Sequence, residues 1–455
     1  MSLPEGPLVA WYGDDFTGAS AVMEVLTFAG FPSVLFFETP SAERLARFGD
    51  LRGIGIAGEA RSKSPAWMAA NLPPVYEALR ATGAPLLHYK VCSTFDSAPH
   101  VGSIGKAADL AMGPDDWAPL LIGAPEIGRW QAFGTLFAAA GGDVYRIDRH
   151  PTMSVHPVTP MDEADVRRHL ERQTEKTVGL VDLRALKTGR GATALAEARE
   201  AGHRIVALDV IDAETLAAAG ALIWDEAVKG QLFALGSQGV EYALVAAWRA
   251  AGLAPEIETG AAGGPAARVA VVSGSCSPIT AEQIARAGSD GYALIPLDAT
   301  AALDAEAWTA EKARVVAASL AAIGEGRDPL VHSARGPGDP AVAALREAVA
   351  RAGAKADEVN DRIGEGLGAI LDAVVREARL TRAAIAGGDT SSAAARALGV
   401  YAVTAEAPLA PGVALLKGHG DDPATDGLQI ALKGGQMGPP NFFEQLRAGG
   451  PGGRS

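Results

Sequence analysis

The sequence predicts two α/β domains with largely parallel sheets. Short apolar runs rich in β-branched residues alternate with longer Ala-rich stretches of helical period, the pattern of layered α/β folds. The 455 residues exceed the roughly 100–200 of one ordinary domain. Residues 254–267, Ala-Pro-Glu-Ile-Glu-Thr-Gly-Ala-Ala-Gly-Gly-Pro-Ala-Ala, hold too much glycine and proline for a regular element. That stretch is the expected linker between a domain over 1–253 and a second over 268–440. Residues 441–455 read as a C-terminal tail, Gly-rich and frayed from Ala448 onward.

The elements follow in order. A first strand, Leu8 to Trp11, enters Gly13-Asp14-Asp15-Phe16-Thr17-Gly18, and then a helix with Val22, Val25, Leu26 and Ala29 on its apolar face, stopped by Gly30. Val34 to Phe37, Leu120 to Ile122 and Arg204 to Leu208 read as further strands. In the second half Val269 to Ser273 precedes Gly274-Ser275-Cys276-Ser277-Pro278 and a helix over Thr280 to Ala287. Ala383 to Ala386 precedes Gly387-Gly388-Asp389-Thr390-Ser391-Ser392 and a short helix, Ala393 to Leu398, closed by Gly399. Leu428 to Leu432 leads into Lys433-Gly434-Gly435-Gln436-Met437-Gly438.

Composition excludes several classes. A formal charge of −14 and no local basic stripe argue against a nucleic-acid partner and against an anionic membrane surface. No apolar run reaches the ~18 residues of a membrane span, and the N-terminus lacks a basic leader region, so a cytoplasmic protein is expected. Cys92 and Cys276 lie far apart and fit neither a disulfide framework nor a metal-ligand spacing.

Glycine is 54 of 455 residues, about 12% against the usual 7%, and the excess falls at strand ends, where α/β proteins bind ligands. Asp14 and Asp15, at a strand's end and a helix's start, are placed to grip hydroxyls or a metal, or to take a proton. Asp is also a preferred N-cap, and both readings stand at this point. Ser273, Ser275 and Ser277 among small residues let backbone N–H groups approach a phosphate or ribose; a plain loop is the alternative. Gly387, Gly388, Asp389 and Thr390 form an anion cradle by composition. Lys433 to Gly438 could close over a nucleotide or be only a turn.

Other motifs fail. Gly105-Lys106 is followed by Ala107, so no phosphate loop of the Gly-Lys-Ser/Thr type exists, and the protein-kinase motif set is missing. The Gly53–Gly55–Gly58 string alternates with Ile54 and Ile56 as a strand does and opens no apolar helix, unlike a dinucleotide fingerprint. His88, His150 and His156 show no metal spacing.

Together the motifs resemble the four-carbon acid sugar kinases, over nearly the whole chain. Asp14-Asp15-Phe16-Thr17-Gly18-Ala19 is similar to the family's Asp-Asp-Leu-Thr-Gly-Ala, Glu126-Ile127-Gly128-Arg129 to its Gly-Arg loop, and His156-Pro157-Val158-Thr159-Pro160-Met161 to its His-Pro-x-x-Pro-Met stretch. The three glycine-rich clusters of the second half match its nucleotide motifs in order and spacing. The resemblance implies an N-terminal domain that holds a sugar acid, a C-terminal domain that holds ATP, and phosphoryl transfer in the cleft between them, with Mg²⁺ bridging the phosphates. Asp15 would orient or deprotonate the attacking hydroxyl and Asp14 would hold substrate hydroxyls. Lys90, Arg129 and Arg61 are candidates for the substrate carboxylate; Thr17, Ser93, Thr94, Asp96 and His156 complete the acid-sugar set. Ser273, Ser275, Ser277, Gly387, Gly388, Asp389, Thr390, Gly435 and Gly438 are the nucleotide set. Asp389 would be a direct or water-mediated Mg²⁺ partner in that arrangement, and no metal ligand is fixed by the sequence. The oligomeric state stays open, a homodimer included.

One departure bears on the substrate. Much of the family carries Lys-x-x-Asp-Ser-Thr-Leu-Arg-Gly, whereas this chain has Lys90-Val91-Cys92-Ser93-Thr94-Phe95-Asp96-Ser97, with Asp96 at the arginine position. The altered charge resembles a branch acting on branched or oxidised acid sugars such as 3-oxo-isoapionate. Two further classes remain on the residues alone: a nicotinamide-dependent oxidoreductase, supported only by the Gly53–Gly58 string, and a sugar-acid binding protein without turnover.

Overall fold

The computed structural model describes residues 2–156, 158–256, 263–410 and 412–450, with the side chains of 389–392 outside that description. The chain divides into two units, Met1–Ile257 and Glu258–Ser455.

The first unit carries β1 (Val9–Gly13), β2 (Ser33–Phe36), β3 (Gly53–Ala57), β4 (Leu86–Lys90), β5 (Ala118–Leu121), β6 (Arg129–Ala132), β7 (Thr135–Ala140), β8 (Asp143–Arg146), β9 (Val178–Val181), β10 (Ile205–Leu208) and β11 (Leu232–Gly236). Eight of them form a run ordered β2-β3-β1-β4-β11-β5-β10-β9, and every pairing within it is parallel. β6, β7 and β8 make a separate antiparallel ribbon. The strands of the parallel run are buried on both faces and largely apolar, the usual state of a parallel sheet, with His88 and Lys90 of β4 as polar exceptions. One face packs Tyr12, Tyr76, Tyr89, Phe95 and Leu120 into a continuous core.

The second unit carries β12 (Ala270–Ser273), β13 (Tyr292–Pro296), β14 (Asp328–His332), β15 (Arg382–Ala386), β16 (Val400–Ala410), β17 (Val413–Gly420) and β18 (Gln429–Lys433). Their order is β13-β14-β12-β15-β18-β17-β16; the first five are parallel, and β17 and β16 each run antiparallel to the preceding neighbour. The α/β class and the largely parallel sheets are therefore as the sequence predicts.

Both units repeat one winding. The chain makes a central strand, goes two places out, returns to fill the gap, then crosses to the other side: β2-β3-β1-β4 in one, β13-β14-β12-β15 in the other. Connections in opposite directions leave a crevice at the C-terminal ends of the central strand and the strand added across from it, and ligands of open α/β sheets bind there. Here that means β1 with β4, and β12 with β15.

Two readings need correction, and a third, the strand nature of Gly53–Gly58, holds. Residues 442–448 are not tail: Phe442–Ala448 is a helix whose Phe442, Phe443 and Leu446 enter the second core, capped by Gly449 in the left-handed region. Aromatic burial there outweighs the glycines that follow, which alone suggested fraying. The helix after β15 spans Gly388–Ala397, so it starts at Gly388 rather than Ala393, and the expected loop is its first turns. The Gly53–Gly58 string is strand β3 and its exit. A Cβ at Gly55 would collide with the Trp11 ring and one at Gly58 with the Tyr12 ring, so these glycines serve strand packing.

Candidate active site

In the first unit the crevice is charged. Asp14 follows β1 directly, with its backbone N–H donating to the Lys90 carbonyl at the end of β4 at 2.9 Å. Asp15 caps the helix Phe16–Phe28: its Oδ1 accepts from the Gly18 N–H at 2.9 Å and its Oδ2 from Thr17 Oγ1 at 3.2 Å. The N-cap reading is thus realised, yet it does not exhaust the residue. Arg61 arrives from the loop after β3 and spans the two carboxylates, Nη2 donating to Asp14 Oδ1 at 2.7 Å and Nη1 to Asp15 Oδ2 at 2.9 Å. Asp14 is buried while Asp15 keeps about a quarter of its side chain exposed (26%), so Asp15 is the carboxylate that faces outward.

Lys90 is 2% exposed, and among the described residues its ammonium has no hydrogen-bonded or ion-paired partner. Its Nζ lies 2.8 Å from where a Cβ on Gly18 would stand, beside Asp15. Glycine at 18 is what lets the helix start approach that ammonium. Burial pushes the Asp14 carboxyl up to about 6, with Asp15 adding to the rise and Arg61 and Lys90 opposing it. Arg61 is held strongly protonated by Asp14 and Asp15 against its own burial.

The segment after β4 turns back over this cluster. Phe95, wholly buried, takes a left-handed φ of 59°, which swings Thr94 and Asp96 to the same side. Thr94 Oγ1 donates to Asp96 Oδ1 at 2.5 Å and contacts Cys92 Sγ at 2.9 Å. Thr159 Oγ1 donates to Asp96 Oδ2 at 3.4 Å, and the Thr159 N–H donates to His156 Nδ1 at 3.1 Å. Burial works to raise the Asp96 carboxyl, but Arg61, the Thr94 hydroxyl and His156 outweigh it and hold it below the usual carboxylate range. Ser93 is half-buried on the same turn. Arg129 opens β6 after Gly128 in the left-handed region; its Nη1 donates to the Gly128 carbonyl at 2.9 Å while its Nε is buried without a partner. Burial lowers Arg129, with Cys92 within electrostatic reach.

The structure thus gathers Asp14, Asp15, Thr17, Arg61, Lys90, Thr94, Asp96 and His156 into one set. Two expected roles change. Arg61 is committed to two carboxylates and is no free cation for a substrate. Asp14, with both oxygens turned to Arg61, positions that guanidinium rather than holding hydroxyls. His88 belongs elsewhere: fully buried, it pairs through Nδ1 with Glu241 Oε1 at 2.7 Å in the core. Thr159 is the linking residue the motif reading left unassigned.

In the second unit three loops leave neighbouring strands. The Gly274 N–H donates to the Ala386 carbonyl at 3.0 Å and the Gly387 N–H to the Lys433 carbonyl at 2.9 Å, so the ends of β12, β15 and β18 are tied together. Ser273 is fully buried at the tip of β12, where the Ser275 N–H approaches its Oγ at 3.4 Å. Ser277 caps the helix Pro278–Ser289 and donates to the Gly435 carbonyl. Thr280 Oγ1 donates to the same carbonyl at 2.9 Å, and Ser275 Oγ to Thr280 Oγ1 at 3.1 Å. A Cβ at Gly435 would stand 2.7 Å from Ser275 Oγ, so a larger residue there would displace that hydroxyl from its place between the two loops. Gly438, at a φ of +83°, is needed for its turn. The helix Gly388–Ala397 begins at the end of β15, and a helix's first turn carries N–H groups without intrahelical partners; the side chains of Asp389 and Thr390 lie outside the described residues.

Lys433 is fully buried, with Nζ donating to Thr280 Oγ1 at 3.0 Å, to the Gly434 carbonyl at 3.0 Å and to the Met437 carbonyl at 3.2 Å. Burial lowers it to about 8. With all three protons directed at protein oxygens, it braces the 433–438 loop from inside. Gln283 adds a strut, its Nε2 donating to the carbonyls of Met437, Gly438 and Pro439 at 3.0 Å each.

Residues 9–244 match a family described as a sugar-binding N-terminal domain, and residues 270–443 one described as a nucleotide-binding C-terminal domain. The 3-oxo-isoapionate kinase of Paraburkholderia graminis is 46% identical over 98% of this chain and 95% of its own length. The 3-oxo-tetronate kinase of Cupriavidus necator is 31% identical over 98% and 97%. Among solved structures, a Haemophilus influenzae protein from a domain family of unknown function superposes with a TM-score of 0.71 at 26% identity, covering 96% of this chain and 99% of that one. A Salmonella typhimurium protein solved as a putative tRNA synthase gives 0.77 at 24% identity over 96% and 98%, a likeness of fold alone. A charged crevice in a sugar-binding unit and tied glycine loops in a nucleotide-binding unit define a small-molecule phosphotransferase. The chain belongs to the four-carbon acid sugar kinase family and is a sugar-acid kinase. Among the described residues no helix is long and apolar enough to cross a membrane.

Proposed function

We propose that this chain transfers the terminal phosphoryl group of Mg²⁺-ATP to a hydroxyl of a small sugar acid, with 3-oxo-isoapionate as the preferred acceptor. The observation that carries the reading is the buried, unpartnered Lys90 ammonium beside the Asp14–Arg61–Asp15 fork. The nearby carboxylates balance its charge, but its N–H donors meet no acceptor among the described residues, and a sugar acid's carboxylate supplies one. The choice of the branched oxo acid rests on the higher identity to the 3-oxo-isoapionate kinase than to the 3-oxo-tetronate kinase.

In this reading Lys90 anchors the acid's carboxylate, with Arg129 as second cation. Asp15, the more exposed carboxylate, accepts the proton of the attacking hydroxyl, and Arg61 fixes its angle. Asp96, held in place by Thr94 and Thr159, accepts from a further hydroxyl. On the donor side the N–H groups at Gly388 and the Ser275–Ser277 loop receive phosphate oxygens. Mg²⁺ supplies charge neutralisation between the phosphates.

The test is coupled ADP release with Mg²⁺-ATP against 3-oxo-isoapionate, 3-oxo-tetronates, threonate and erythronate, read as kcat/KM. Preference for the branched oxo acid is expected. Preference for a plain tetronate would overturn the acceptor assignment, and failure to bind ATP would overturn the donor.

A further inference from the structure

The antiparallel ribbon of the first unit hangs from one buried carboxylate. Asp209 stands one residue past β10, at the same C-terminal sheet edge as Asp14 and Lys90, and is 0% exposed. Its Oδ2 accepts from the Phe133 N–H at 2.6 Å and the Leu183 N–H at 3.2 Å, and its Oδ1 from the Gly134 N–H at 2.9 Å and Gln131 Nε2 at 3.3 Å. Three of the four donors belong to the β6–β7 hairpin, two of them to its turn. There Phe133 holds a left-handed φ of 51°, a conformation unfavourable for a bulky residue, while its side chain is 54% exposed. The carboxylate, not packing of the ring, holds the turn. Burial pushes the Asp209 carboxyl up to about 6 against the pull of its donors. A carboxyl raised in this way costs folding stability at every pH above about 6, and the cost fades only as pH falls toward about 4. Only the ionised form accepts on both oxygens; an acid or an amide would turn a donor toward one of these N–H groups. Arg167 lies within electrostatic reach but is paired with Asp165 through Nη2 at 2.7 Å.

The hairpin carries part of the acid site. Its first strand opens with Arg129, and Gln131, fully buried, exchanges backbone hydrogen bonds of 2.8 and 3.0 Å with Val210, the residue after Asp209. Its turn and second strand hold the next wall. The Val166 N–H donates to the Gly134 carbonyl at 2.9 Å, and the Leu136 N–H donates to the Ala164 carbonyl at 2.9 Å. That segment leads back to Thr159, whose hydroxyl reaches Asp96. All four hydrogen bonds of Asp209 run to the hairpin and to the start of the helix Leu183–Lys187, so its effect on the acid site passes through them.

We infer that Asp209 is a positioning residue for the phosphotransfer reaction: it latches the β6–β7 hairpin so that Arg129 and the Thr159–Asp96 pair stand at fixed places around the sugar acid. The inference rests on the reading of Arg129 and Asp96 as acid contacts and adds what fixes them. A buried carboxylate that lowers stability is retained where its alignment of other groups serves the site.

Steady-state ADP release by the full chain tests it, with KM taken separately for ATP and for the sugar acid that wild type uses best. Asp209→Asn should raise the acid KM about tenfold, the loss of one aligned charge-assisted contact, and leave the ATP KM unmoved. Phe133→Pro should do the same from the exposed turn, because proline has no N–H and cannot adopt a φ of 51°; it covers the case that Asp209→Asn fails to fold. Phe133→Gly keeps the N–H and admits the left-handed φ, so it should match wild type. A merely structural Asp209 would lower the active fraction and leave both KM values in place; that result, or a parallel rise in both, would overturn the inference. Phe133→Gly as impaired as Phe133→Pro would overturn it too, since the effect would then belong to the ring. Arg129→Gln separates the inference from the reading beneath it. An acid KM raised in Arg129→Gln but unmoved in Asp209→Asn and Phe133→Pro removes the latch alone, whereas an acid KM unmoved in Arg129→Gln removes Arg129 as an acid contact and the inference with it.

Discussion

Replacing Lys90 by methionine removes the buried ammonium at nearly constant volume, and its consequence can be worked from the site. Asp14 titrates at about 6, with Lys90 among the groups holding it down. The Lys90 Nζ lies 2.8 Å from the Cβ position of Gly18, in the same pocket as both carboxylates. Removing it takes a favourable charge from a carboxyl already raised by burial, so Asp14 should titrate above about 6 in the variant. A protonated Asp14 releases one side of Arg61 and so loosens Asp15. Activity therefore falls as pH drops through the Asp14 value: the wild-type acid limb lies near 6 and the variant's at higher pH. A rise of about one unit would take the ionised fraction at pH 7 from about nine-tenths to about one-half, a roughly twofold loss that recovers toward pH 9. Loss of the carboxylate anchor adds a rise in sugar-acid KM that no pH restores. The assay is ADP release from pH 5 to 9.5, with KM taken separately for acid and nucleotide. An acid limb still near 6 with an unchanged acid KM would refute the placement of Lys90 against both the carboxylates and the substrate.

The remaining predictions follow the same geometry. Asp15→Asn retains a good N-cap and should keep stability close to wild type while lowering kcat by roughly 10²–10⁴-fold, whereas Asp15→Ala should also lose about 1 kcal/mol of stability in urea unfolding; normal turnover in the asparagine variant would leave Asp15 a cap and nothing more. Thr159→Val breaks the link between Asp96 and His156, and should raise the sugar-acid KM several-fold with the ATP KM unmoved; parallel shifts in both constants would point to general loosening instead. Lys433→Met strands three oxygens and should raise the ATP KM about tenfold with the acid KM constant. In wild type, ATP affinity should weaken as pH rises through about 8, where the Lys433 ammonium loses the proton that braces its loop; flat affinity from pH 7 to 9.5 would exclude that role.

How far the sequence reaches depends on the range of the interactions involved. Strand runs such as Val34–Phe37 and Ala383–Ala386 were legible because a parallel sheet buried on both faces demands unbroken apolar residues. The strand ends were legible because glycine and hydroxyl clusters have few other uses there. The start of the helix at Gly388 was not: glycine, threonine and serine are weak helix formers, and what holds this segment helical is tertiary packing, chiefly against the helix Ala356–Ala378. The fate of Phe442 and Phe443 was equally hidden, since proline and glycine on either side speak locally for a loop while the burial is tertiary.

The division of labour among the charges was the least legible of all. In the sequence Arg61, Lys90 and Arg129 are equivalent cations, each able to meet a carboxylate. The fold separates them by who reaches them first. Arg61 leaves β3, adjacent to β1 in the sheet, and its fork closes on the two carboxylates that the β1 exit already presents. Lys90 leaves β4 on the other side of β1 and finds the helix start opened by Gly18, with no hydrogen-bond acceptor among the described residues. Arg129 spends its Nη1 on backbone carbonyls of its own loop. The strand order thus decides which cation is spent internally and which is left for a ligand. A switch of Lys90 and Arg61 would preserve composition, charge and every local propensity, yet the shorter, single-headed ammonium cannot bridge Asp14 and Asp15 as a guanidinium does. The double exchange should therefore fold and still lose turnover, which ties the chemistry of the site to the topology rather than to the count of charges.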